Sequence, residues 1–159
     1  MNIISLTPLD LALTALLVVV LAGLNFKKIP VVLNLESKAE YMSGLSDSNP
    51  YSALIYANQK LPKGSKVLFY RETRTFYLDH AYVIGNPTKQ AYIDYSKIEN
   101  YQQLYTRLQE IKITHIFINS FFDTSIRHTL EQDKIMDELL NNKTELIYNQ
   151  NGHEIYRLK

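Results

Sequence analysis

Hydrophobic and polar positions follow three different rhythms along this chain. From Leu11 to Phe26 (LALTALLVVVLAGLNF) there is no rhythm at all: no charge occurs, and apolar residues fall on every side of a helical projection. At 1.5 Å per residue this run is about 24 Å long, and begun at Thr7 it reaches about 30 Å, the hydrocarbon thickness of a bilayer. It predicts one membrane-spanning helix over residues 1–28. Asp10 lies at its edge, where a carboxylate reaches the interface, and Lys27 and Lys28 come directly after it.

Beyond it the pattern becomes that of a folded domain. Residues 29–62 read as a linker and connecting helices: an apolar exit with Pro30, a short surface helix over Leu35–Leu45, and a break at SDSNP. Asn49 and Pro50 then open a helix whose stripe is Tyr51, Leu54, Ile55 and Leu61, ending at Pro62-Lys63-Gly64. Val67–Tyr70 and Ala81–Ile84 are short apolar runs bounded by turn residues and predict buried strands, with a short helix over Glu72–Leu78 between them. Ser96 and Glu99 form a capping-box pattern before Ile98, Tyr101, Leu104, Tyr105, Leu108 and Ile111, spaced by three and four as on an amphipathic helix.

Ile113–Asn119 predicts the most buried strand. Asp123 or Thr124 is placed to cap a helix using Ile126, Leu130, Met136, Leu139 and Leu140. Thr144–Tyr148 and Glu154–Leu158 flank Asn151-Gly152, the strongest short hairpin signal. Strands alternating with helices imply a mostly parallel sheet with right-handed crossovers. The expected fold class is α/β: one N-terminal transmembrane helix, then a small Rossmann-like three-layer sandwich over residues 63–159 with a C-terminal β-hairpin.

Composition narrows the function. Of 159 residues, 46% are hydrophobic and 21% charged, which suits a folded chain. A net charge of +1 without a dense Lys/Arg stripe argues against nucleic acid as a partner. The chain has no cysteine, which excludes disulfides and thiolate metal sites. Twelve tyrosines against six phenylalanines suit half-buried sheet positions or a shallow groove. Only five glycines occur, and the first strand is followed by Arg71-Glu72-Thr73-Arg74 rather than a glycine-rich loop, so no dinucleotide or P-loop cofactor site is expected. The four histidines lack metal-ligand spacing, and His115 within an apolar strand reads as a structural residue. No metal and no cofactor is expected. Asn142-Lys143-Thr144 matches the glycosylation acceptor pattern.

One cluster carries candidate chemistry. Ligands of open α/β sheets bind outside the carboxyl ends of the strands. Arg71, Glu72 and Arg74 follow the first strand, and Asn119, Ser120 and Asp123 follow the third. If these strands are neighbours, the two arginines are placed to hold a phosphate or carboxylate. The competing reading makes Glu72 and Arg74 an ion pair that fixes the loop. No catalytic residue is assigned.

The order of short motifs is also familiar: Ala57-Asn58-Gln59-Lys60-Leu61-Pro62, Gly64-Ser65-Lys66-Val67-Leu68, Glu72-x-Arg74-x-x-Tyr77-Leu78, Ile113-Thr114-His115, and Asn151-Gly152 with Tyr156-Arg157. Over nearly the whole chain it resembles the C-terminal soluble tail of polytopic glycosyltransferases of the GT-C type, the dolichyl-phosphate-mannose protein mannosyltransferase-like group. The resemblance implies transfer from a polyprenyl-phosphate-linked sugar outside the cytoplasm, with catalysis in a membrane loop that has no counterpart here. It therefore implies an accessory domain without turnover of its own. The partners it implies are the lipid bilayer, a multi-span membrane glycosyltransferase and the lipid-linked sugar. The expected location is single-pass in the membrane with an extracytoplasmic, periplasmic domain, although the two lysines after the helix taken alone favour the opposite orientation. The alternatives are a stand-alone anchored module binding a protein or glycan, and a small enzyme with its site at Arg71–Arg74 and Asn119–Asp123.

Overall fold

A computed structural model describes residues 29–44, 49–86, 91–121 and 129–159, together with 13, 14, 16, 19, 20 and 23. The chain divides into two compact units, Met1–Gly44 and Leu45–Lys159.

The first unit corrects the expected membrane anchor. Its described residues within the apolar run are helical, and Leu13, Leu16, Val19 and Val20 are exposed. Spanning a bilayer takes about 20 consecutive apolar residues in one helix, and among the described residues no helix is long and apolar enough to cross a membrane. Most of Leu11–Phe26 lies outside the described residues. The two helices beyond that run are short: α1 (Ile29–Val32) has four residues and α2 (Lys38–Ser43) six. Asn34, at φ 55°, adopts a left-handed conformation just after α1. Ser37 caps α2, accepting from the Glu40 N–H while Glu40 accepts from the Ser37 N–H, a complete capping box. The single-pass, extracytoplasmic location and the membrane-helix part of the fold class fall with the span on which they rested.

The second unit is a mixed α/β domain. Its elements are α3 (Tyr51–Lys60), β1 (Lys66–Tyr70), β2 (Ala81–Ile84), α4 (Tyr101–Glu110), β3 (His115–Asn119), α5 (Leu130–Lys143), β4 (Thr144–Gln150) and β5 (His153–Leu158). The sheet order is β2-β1-β3-β5-β4. β1 runs parallel to both β2 and β3, and β5 is antiparallel to β3 and β4.

Strand alternation sorts the core into two layers. Val67, Phe69, Phe117 and Ile155 pack with Ala53, Leu54, Ala57 and Leu61 from α3 and its end. Leu68, Tyr70, Ile116 and Ile118 face the other way, toward Leu104 and Leu108 of α4 and Met136 and Leu139 of α5. Phe69 and Phe117 stack at 4.8 Å across the central strand pair. Every residue of β3 is buried, as a central strand covered on both faces requires. In α3 the buried positions are Tyr51, Ala53, Leu54 and Ala57. The two alanines bring the helix close to the sheet, and Ile55, expected on the buried stripe, is only half-buried.

Several local expectations are corrected. Residues 72–78 form no helix. Side chains set its path instead: Glu72 accepts the N–H groups of Thr73 and Arg74, while Asn58 donates to Tyr77 O and accepts from Asp79 N. The β1–β2 crossover is thereby laced to α3. Asn100 replaces Ser96 as the cap of α4, because its side chain accepts from Gln103 N while the Gln103 side chain accepts from Glu99 N. Ser96 instead belongs to a 3-10 turn over Tyr95–Lys97, capped by Asp94. The described part of α5 begins after Thr129, which forms a capping box with Gln132. The Asp123, Thr124 and Ile126 expected at its start lie outside the described residues. The final hairpin turns on Asn151 (φ 47°) and Gly152 (φ 65°), two successive left-handed residues, the signature of the turn that matches strand twist.

This packing sets two expected stability costs. Phe117→Ala should cost about 3–5 kcal/mol in urea unfolding, because it empties a site enclosed on all sides. Gly152→Ala should cost about 1 kcal/mol, since its φ is positive and a new Cβ would meet the Phe121 ring. By the same measurement, Gln150→Ala at the exposed end of β4 should stay within about 0.5 kcal/mol of the wild type.

Candidate functional site

β1 and β3 are neighbours and both end on the same edge of the sheet, so the residues after them are brought together at that edge. They do not form one site. Glu72 is 1% exposed, and its carboxylate gathers the loop around it. Oε1 accepts from the backbone N–H groups of Thr73 and Arg74 at 2.7 and 2.8 Å and from Arg74 Nε at 3.0 Å. Oε2 accepts from Arg74 Nη2 at 2.7 Å and from Asn119 Nδ2 at 2.8 Å. Asn119 Oδ1 in turn accepts from Phe121 N. Burial alone would raise the Glu72 carboxyl. The hydrogen bonds from Arg74, Asn119 and Thr73 outweigh burial and hold it below the ordinary carboxylate range. Glu72, Arg74 and Asn119 thus tie the exits of β1 and β3 together.

Arg71 departs from this group. Its backbone sits at φ 59°, a left-handed conformation uncommon for a residue with a side chain. Its Nη2 lies 2.9 Å from Asp133 Oδ1 on α5, and Tyr70 donates its hydroxyl to the same oxygen at 2.8 Å. The guanidinium also rests over the Tyr70 ring, 5.8 Å from its centre. Burial first, and then the bond to Asp133, push the Tyr70 phenol well above its usual value. The Arg71 Nε–H is buried with no hydrogen-bond partner among the described residues. Asp123 lies outside the described residues.

Arg71 borders a pocket of about 350 Å³ between α5 and the sheet. Its polar wall includes Ser120, Asp137, Asn141, Glu154 and Tyr156. The Tyr156 hydroxyl donates to Glu154 Oε2 at 2.8 Å. Asp137 is held above the ordinary carboxylate range, first by burial and then by the charges of Asp133 and Glu154, against the pull of Arg71. Sequence reasoning found Arg71 and Ser120 but missed Asp133, Asp137, Glu154 and Tyr156. A signal was present: Asp133 and Asp137 are one turn apart, interleaved with the buried Met136 and Leu140, so two acids sit on or beside the apolar stripe of a helix.

Two of the histidines, His115 and His80, hold structural positions. His115 is buried beside the Thr114 hydroxyl at 2.8 Å, and burial lowers its pKa, so it is held neutral. His80 Nε2 lies 3.2 Å from Ala57 O. The Thr144 hydroxyl of the Asn142-Lys143-Thr144 pattern is buried and donates to Leu140 O at 2.6 Å. Among the described residues no three acidic, His or Cys side chains are grouped to hold a metal ion.

No family model matches the chain, and no curated protein matches it.

Glu72→Gln should destabilise the domain by about 2 kcal/mol at neutral pH, because it leaves Arg74 and Asn119 without a charged acceptor. The folded-state pKa of Glu72 is depressed. Its stabilisation is therefore present above the unfolded value of about 4.3 and is lost as pH falls through the folded value. Urea midpoints compared at neutral and acid pH should show the wild-type advantage over Glu72→Gln shrinking on acidification. An advantage independent of pH would contradict this assignment.

Proposed function

We propose that this chain is a non-catalytic accessory part of a glycosyltransferase system that uses a polyprenyl-phosphate-linked sugar, with the reacting residues on a separate multi-span membrane partner. The sequence resemblance to the tail of GT-C transferases motivates the reading. The observation that carries it is the pocket beside α5. Its size suits a small molecule, and its rim offers a hydroxyl, an amide, two carboxylates and a guanidinium N–H, the donors and acceptors that a polyhydroxylated ligand can use.

The chemistry around the pocket favours binding over turnover. Glu72 is fully engaged by Arg74, Asn119 and the backbone, while Tyr70 and Arg71 converge on Asp133. Groups held in this way fix geometry rather than exchange protons with a substrate.

Membranes from cells lacking this chain provide the test. Transfer from polyprenyl-phosphate sugar to acceptor should fall about tenfold, equivalent to about 1.4 kcal/mol of activation free energy. Added purified chain should restore it, and the chain alone should show no transfer. Unchanged transfer by the deleted membranes, or turnover by the isolated chain, would overturn the proposal.

A further inference from the structure

A second groove, of about 420 Å³, lies between α3 and the edge strand β4, on the face of the sheet opposite the pocket beside α5. Its helical wall is one face of α3, with Ser52, Ile55, Tyr56 and Gln59. Its strand wall, residues 147–150, depends on an irregularity. β4 and β5 pair Leu146 with Tyr156 and Tyr148 with Ile155, so Ile147 is an extra residue on β4. In a regular strand Tyr148 would share the face of Leu146. The bulge turns it to the α3 side, where both it and Ile147 pack against the core layer under α3. There the Tyr148 and Tyr56 rings lie 4.6 Å apart, tilted by 40°. Tyr56 donates its hydroxyl to Ile147 O at 2.8 Å, which ties helix to strand and fixes the pair. Re-aiming a side chain beside a binding site is a recurrent use of bulges at sheet edges.

The polar lining is of one kind. No charged side chain lines the groove among the described residues. Beside the two rings it offers the side-chain amides of Gln59, Asn149 and Gln150. Those of Asn149 and Gln150 make only long contacts, 3.4 Å to Glu154 and 3.4 Å from Tyr148.

We propose that this groove binds a neutral sugar unit, a hexopyranose, with its C–H face on the Tyr56–Tyr148 pair and its hydroxyls on the three amides. An anion finds no cation here. A purely apolar ligand would leave the amides without partners. An extended peptide pairing with the open edge of β4 meets the bulge, and Ile147 O is already engaged by Tyr56. A pyranose matches both parts of the lining: its C–H bonds form an apolar face for a ring, and its hydroxyls donate and accept, as amides do. The inference uses neither the pocket beside α5 nor the sequence resemblance, so it stands or falls apart from the accessory role.

Proton–nitrogen correlation NMR of the full chain tests the site, with glucose, mannose, galactose and N-acetylglucosamine as separate titrants. At least one should shift the backbone amides of Gln59 and residues 147–150, with a Kd of about 1 mM. Tyr148→Ala should weaken that binding about tenfold. Gln59→Ala, at an exposed position of α3 where the core is not disturbed, should weaken it about threefold. No shift with any of the four sugars, shifts confined to the α5 face, or binding unchanged in both variants would overturn the inference. So would shifts along β4 produced by a neutral Thr/Val peptide and by none of the sugars, which would assign the edge to strand pairing.

Discussion

The burial of two adjacent parallel strands on both faces is the constraint on which the second unit depends. β1 and β3 carry Leu68, Phe69, Ile116 and Phe117, all at most 1% exposed. One helix and an irregular crossover close one face, and two helices close the other. Burial of this extent leaves backbone N–H and C=O groups no access to water, so the ladders on either side of each strand are obligatory rather than incidental. The strand exits inherit their positions from that central pair, and with them the placement of the polar groups at the sheet edge.

At that edge the chain separates two tasks by a single backbone choice. A residue after Tyr70 in ordinary extended conformation would continue toward the Glu72 side. The left-handed turn at Arg71 sends its guanidinium to α5 instead, while Glu72 stays with Asn119. One carboxylate then stiffens the loops, and one guanidinium is left beside the pocket. Arg71 tolerates this conformation because Asp133 and the Tyr70 ring hold its head group in place.

The legible parts of the fold were those written in local pattern. The strands at β1, β2 and β3 and the final hairpin stood out because short apolar runs are bounded by turn residues and because Asn151-Gly152 has few other uses. Less legible were segments whose path is set by one particular side-chain contact rather than by a local pattern. The loop after β1 reads as helical from its spacing, whereas contacts from Glu72 and from Asn58 on α3 hold it in an irregular path, and Ser96 looks like a helix cap until Asn100 is seen to take that role. For the site, proximity of the strand exits was readable from topology. The split between Arg71 and Glu72 was not, because a positive φ at a non-glycine residue leaves no mark in composition. Asp133 and Asp137 could have been noticed as acids intruding on an apolar stripe.

The order of strands in space differs from their order in the chain at its far end: β5, last in sequence, lies between β3 and β4. β4 has no ladder to β3 and joins the sheet through β5 alone. A nascent chain that has released β3 therefore presents an apolar strand with an open rim until residues 153–158 arrive to cover it. Assembly is gated by the slowest-arriving segment, and a chaperone or a neighbouring copy has that interval in which to pair with the uncovered rim.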